Sequence, residues 1–294
     1  MPSVPTILER HLPNWVGLKL LSGQHEELAR AIRHLSQDPD SDTRFVAKGV
    51  ILNTVANQGL ISEAAPYLVR LLLDLLPLAD FPETDWAAKT LVQLASWVAD
   101  PYKQSSRKSE IKLAMSMKEI RRAPTKLDRL KWRLLCYEAV QHAWRLLCDL
   151  SRKSAAPSTR RMLSFATCVC RDQQKEVSRH QKSTFDNESD SQCAASIVLA
   201  IGALQVGADT VWLEHTLNDE RPEVAWSSAA ALVNRGHPLA PRIAHLIAAT
   251  AADEETARAI LENQPFAQVA GLGYIDDDAL TFVPSELARR VLHT

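Results

Sequence analysis

With 294 residues, 46% of them hydrophobic and 23% charged, the chain is predicted to be ordered and long enough to bury a full core. Only 9 residues are glycine, 6% are aromatic and no G-x-G-x-x-G occurs, which disfavours sandwiches, barrels and a Rossmann sheet and leaves a mostly helical protein. The net charge of −1 hides a segregation: residues 101–184 hold 20 Lys+Arg against 7 Asp+Glu, a net of +13, while the other 210 residues hold 14 against 28, a net of −14.

The first twenty residues carry Glu9 and no uninterrupted apolar run, so no secretory signal is expected. The Asp38-Pro39-Asp40-Ser41-Asp42 run is a turn and cap signal. It predicts a helix from Asp42 whose stripe is Phe45, Gly49, Leu52 and Ala56, ended by Asn57-Gln58-Gly59 with Gly59 in the left-handed position. A second helix is expected from about Ser62 to Leu76, with Leu68, Leu71, Leu72 and Leu75 on one face, which makes the two an αα-hairpin. The greasiest stretch, Tyr67 to Phe81, is interrupted by Arg70, Asp74 and Pro77 and is shorter than the ~20 residues of a membrane span. Thr84 to Val98 reads as the next helix, capped by Thr84 or Asp85.

The middle, Pro101 to Gln192, contains no glycine. Lys126 to Leu150 is read as one long helix with Leu127, Leu130, Leu134 and Tyr137 facing inward. Ser154 to Thr159 is read as a loop, Thr159 to His180 as another helix, and Gln181 to Gln192 as a polar, mobile segment. Arg122, Lys126, Arg129 and Arg133 stand at steps of 4, 3 and 4, so a continuous helix would align them as a positive ridge. Like charges so placed repel, and the ridge therefore calls for an anion. Lys131, Arg145, Arg160 and Arg161 add charge, and Trp132 and Trp144 interleave, although a core position is the commoner fate of a tryptophan.

Beyond the middle, Cys193 to Leu204 and Thr210 to Leu217 read as a helix pair around Gly207, and Pro222 to Leu232 as a helix stopped by Asn234-Arg235-Gly236. Gly207 and Gly236 are 29 residues apart, and Glu254 to Asn263 continues the rhythm. Ala65-Pro66-Tyr67-Leu68-Val69-Arg70-Leu71-Leu72 and Ala240-Pro241-Arg242-Ile243-Ala244-His245-Leu246-Ile247 share Ala-Pro-x-apolar-x-x-Leu-apolar at the start of a second helix. An acidic turn, an Ala-rich helix, a Gly stop and this Ala-Pro start resemble HEAT repeats of the short, PBS-lyase-like kind, best over Asp42–Leu76 and Asp219–Ala248. The resemblance implies an all-α fold, an α-solenoid of stacked antiparallel helix pairs that is irregular in the middle, and a protein-interaction scaffold. The expected organisation is residues 1–100 as N-terminal repeats, 101–192 as a basic long-helix segment and 193–294 as C-terminal repeats and cap.

Five cysteines with no C-x-x-C predict buried free thiols and a reducing cytoplasm. No H-E-x-x-H, zinc spacing, G-x-S-x-G or P-loop occurs, and Asp276-Asp277-Asp278 lacks the closing Glu of a calcium loop. The expectation is a non-enzymatic protein without metal or cofactor, which binds a partner of acidic surface through Arg122, Lys126, Arg129, Lys131, Trp132, Arg133, Arg145, Arg160 and Arg161. Among HEAT-like proteins the resemblance points to an immunity or antitoxin-type member that occludes a toxin, with a generic scaffold as the alternative. Nucleic-acid binding through the basic middle is the other alternative, opposed by a pI near 6.8.

Overall fold

A computed structural model describes residues 2–57, 60–96, 126–204, 206–207 and 209–234. Among these residues twelve α-helices account for the fold, which is all-α. The chain divides into two compact units between Ala143 and Trp144, inside the stretch read from sequence as one basic segment.

The first unit carries α1 (Val4–His11), α2 (His25–Gln37), α3 (Ser41–Val55), α4 (Ala65–Leu75), α5 (Thr84–Ser96) and α6 (Lys126–His142). Asp40 caps α3 as its position predicts, its carboxylate accepting from the backbone N–H groups of Asp42 and Thr43. The buried stripe of α3 is not the expected one. Phe45 is 74% exposed and Gly49 is exposed, whereas Ala47, Ile51, Thr54 and Val55 are buried. Apolar residues lie on every side of this helix, so periodicity could not choose between its faces; packing against α2 does. Beyond α3 a two-residue strand β1 (Ala56–Asn57) pairs antiparallel with β2 (Leu60–Ile61), while Gln58 and Gly59 lie outside the described residues. On α4 the Leu68, Leu71, Leu72 and Leu75 face is buried as expected, and Pro66 stands in the first turn, where its missing N–H costs least. Helix α6 lies against α4 and α5 and buries Trp132, Leu134, Cys136, Tyr137 and Val140; Leu130 is half-buried and Leu127 is 41% exposed.

The second unit carries α7 (Trp144–Lys153), α8 (Pro157–Ala166), α9 (Gln174–Phe185), α10 (Ser191–Leu204), α11 (Asp209–Thr216) and α12 (Pro222–Asn234). Three sequence expectations need correction here. The helix from Lys126 breaks at Ala143, whose N–H is shared between the carbonyls of Ala139 and Val140; no glycine or proline marks the place. The helix expected over Thr159–His180 is two helices joined by 3-10 turns at Thr167–Val169 and Arg171–Gln173, with the non-helical Cys170 between them. Finally, Gln181 to Gln192 is ordered: Gln181 is fully buried, and Glu188 anchors the turn before α10. Helix α10 is the centre of this unit. It is apolar on all sides, packs on α8, α9 and α12, and approaches α12 so closely that a Cβ on Gly202 would lie 2.5 Å from the Cβ of Ala231.

One local arrangement occurs once in each unit. Arg44 is the fourth residue of α3; its Nη1 donates to the carbonyls six and five residues back, Asp38 (2.8 Å) and Pro39 (2.9 Å). Its Nε donates to Glu83, immediately before α5, at 2.7 Å. Arg160 is the fourth residue of α8; its Nη1 donates to Ser154 (3.2 Å) and Ala155 (3.0 Å), again six and five residues back. Its Nε and Nη2 grip Glu188, before α10, at 2.9 and 3.1 Å. In both cases the arginine ties a helix to the entry of the helix two further on. Each unit therefore holds one two-helix step closed by the same kind of charged clamp.

Candidate protein-binding surface

The residues expected to bind a partner are divided between the two units. Arg122 lies outside the described residues, and of Lys126 only the backbone, at the start of α6, is described. Arg129, Lys131 and Arg133 are half-buried on α6, and the Nε of Arg129 is buried with no hydrogen-bond partner among the described residues. Trp132 is 5% exposed and belongs to the core, the commoner reading for a tryptophan at such a position. Of the second-unit residues, Arg160 is engaged by Glu188, whose side chain is 7% exposed, so its charge is answered inside the unit. Arg161 is half-buried beside Asp190, to which it is electrostatically coupled.

Arg145 differs from these. It is exposed on α7, and its guanidinium carbon stands 5.2 Å from the centroid of the Trp144 ring, within cation–π range. Helix α7 also exposes Arg152 and Lys153, whose ion pairs among the described residues are loose ones to Asp149 at 3.8 and 3.9 Å. The neighbouring α9 packs against α7 and exposes Lys175 and Arg179 at i and i+4. Among the described residues Arg145, Lys175 and Arg179 have no ion-pair partner. Sequence reasoning missed Lys175 and Arg179 because it spent the 159–180 stretch on one helix and followed the ridge of residues 122–133. The signal that finds them is the amphipathic period of α9 itself, whose buried side is Val177, Ser178, Gln181 and Thr184.

Behind these helices the polar groups serve the fold. Glu188 accepts from Arg160, and its carbonyl accepts from Arg221 at 2.8 Å; Arg221 in turn makes a two-pronged bond to Asp219. The Arg221 side chain, by hydrogen bonding, holds the Asp219 carboxyl below its ordinary range. Asp209, 2% exposed, accepts from Ser178 at 2.8 Å and from Lys182 at 2.6 Å, joining α9 to α11. Lys182 and Arg221 lie over the rings of Trp212 and Phe185, which meet edge to face at 5.1 Å. All five thiols are free and buried. Burial pushes those of Cys148, Cys168 and Cys193 up to about 12, far from the thiolate a nucleophile or metal ligand requires. Among the described residues no three His, Cys, Asp or Glu side chains are grouped to hold a metal ion, and no helix is long and apolar enough to cross a membrane.

Searches of family models, curated proteins and solved structures return no match to this chain.

Proposed function

We propose that this chain is a helical-repeat protein of HEAT-like design that works by binding another protein, and that α7 and α9 of the second unit offer the cationic part of the surface. The observation that carries the reading is the exposed set Arg145, Lys175 and Arg179, which lacks carboxylate partners among the described residues and whose Arg145 lies over the ring of Trp144. Arginine and tryptophan are the residue types that dominate protein interfaces, and fixed positive charge selects a partner with an acidic face and speeds the encounter. The clamp shared by Arg44 and Arg160 supports the repeat reading, because stacked helix pairs leave long faces free for partners.

The test uses the full chain, captured with its stoichiometric partner from the native host and then titrated against that purified partner. Arg145→Glu together with Arg179→Glu is expected to weaken binding at least tenfold, mainly through a slower association rate and a lost salt dependence. Unchanged affinity removes these helices from the interface. The ridge on α6 is tested separately by Arg129→Glu with Arg133→Glu. In its narrower form, occlusion of a toxin, co-expression of the chain protects cells from the captured partner; a partner harmless to cells leaves the scaffold reading. Retention of DNA or RNA that falls steeply with salt, with no protein partner, transfers the surface to nucleic acid.

A further inference from the structure

The first unit holds a cavity of about 620 Å³ between α1, with the turn that follows it, and α2. Its volume is that of a small-molecule site. Leu8, Leu12, Pro13 and Ala29 give it an apolar wall, and Trp15, 2% exposed, closes its depth. Four ionisable residues, Glu9 from α1 and His25, Glu26 and Arg33 from α2, stand on the lining, and among the described residues none of them is in an ion pair.

The charges are not evenly placed. Glu26 and Arg33 are seven positions apart on α2, about 10 Å along the helix. Beside Glu26 lies His25, which also lines the cavity. The Nε2 of His25 is 2.7 Å from the carbonyl oxygen of Leu18. A carbonyl only accepts, so Nε2 is the donor of this bond. Glu9 and Glu26 contribute carboxylates from the two walls, against the single guanidinium of Arg33.

We infer that this cavity is a binding site for a small organic cation with an apolar, ring-sized body, whose ammonium faces the Glu9 and Glu26 carboxylates while its body lies on Leu8, Leu12 and Ala29. It belongs to the first unit and does not rest on the reading of the α7–α9 surface. Two carboxylates outweigh one guanidinium, so an anion of the same shape is disfavoured and a neutral analogue keeps only the apolar contact.

Tyramine, p-cresol and 4-hydroxyphenylacetate share one ring and carry positive, zero and negative charge. The full chain, labelled with 15N at its tryptophan indoles and with Trp15 assigned through Trp15→Phe, is titrated with each. Tyramine is expected to shift the Trp15 indole resonance saturably and to bind several-fold tighter than p-cresol, with 4-hydroxyphenylacetate weakest. Glu9→Gln with Glu26→Gln, both at exposed positions, is expected to bring tyramine down to the affinity of p-cresol, a loss of about two- to fivefold per carboxylate. The proposal is overturned by the absence of a saturable Trp15 shift with tyramine, by equal or tighter binding of the anion, or by full tyramine affinity in the double variant.

Discussion

Single residues in this protein divide into those that join helices and those that face outward, and burial decides which. The five thiols are of the first kind. Cys193 donates its S–H to the carbonyl of Pro157 at 3.1 Å, and every cysteine is at most 8% exposed. With thiols raised by burial, the native protein at about pH 8 is expected to resist a disulfide reagent, and to yield all five equivalents once unfolded in guanidinium. A fast-reacting thiol in the native state would contradict the packing around it. Asp219 gives a residue-scale prediction in pH. Its folded value is depressed by Arg221, so its contribution is complete above the ordinary carboxylate value of about 3.9 and is lost as pH falls through the depressed one. Asp219→Asn is therefore expected to cost on the order of 1 kcal/mol in urea unfolding near pH 7, partial exposure allowed for, and to match the parent as pH drops well below 4. A gap that persists at low pH would mean that shape, not charge, is what Asp219 supplies.

At the scale of elements, close packing turns one atom into a test. Gly202 on α10 faces Ala231 on α12, and an added Cβ would meet the Ala231 Cβ at 2.5 Å and its Cα at 3.3 Å. Neither contact is with a flexible side-chain end, so the helices must part. Gly202→Ala is expected to cost about 1–3 kcal/mol despite alanine's better helix propensity. Ala231→Gly costs about 1 kcal/mol alone through propensity, yet together the two changes should cost less than their sum, because the small residue has only changed sides. Additive losses in denaturant unfolding would refute the close approach. The same scale shows what the sequence revealed and what it withheld. The leucine face of α4, the Asp40 cap and the Cys193–Leu204 helix were legible, because one amphipathic period, one cap or one long apolar run specified each. The face of α3 was not, since Phe45 and Val46 are as apolar as the buried Ala47 and Ile51. Nor were the breaks at Ala143 and Cys170, where no glycine or proline interrupts the chain. The clamp was not legible for a different reason: Thr43-Arg44 and Thr159-Arg160 share only two residues and their place in a first helical turn, and the carboxylates they reach lie 39 and 28 residues away.

For the molecule as a whole, the segregation of charge is a property of the sequence, whereas the fate of each charge is a property of packing. Arg160 answers Glu188 and Lys182 answers Asp209, so part of the formal asymmetry is consumed inside the second unit. Arg145, Lys175 and Arg179 are not consumed in this way among the described residues. A molecule that keeps unanswered cations in a segment of net +13, with −14 elsewhere and a pI near 6.8, has no net repulsion to hold its copies apart at neutral pH. Opposite segments of different copies then attract one another over a range set by the Debye length, about 10 Å at 0.1 M salt and about 30 Å at 0.01 M. The purified chain is therefore expected to show a light-scattering mass above its 32.7 kDa near pH 7 and about 10 mM salt, and to return to that mass at several hundred millimolar. Arg145→Glu with Arg179→Glu should lessen the low-salt association. A mass that does not respond to salt would show that the cations find their counterparts within each molecule, and the proposed acidic partner would then lose the surface that recruits it.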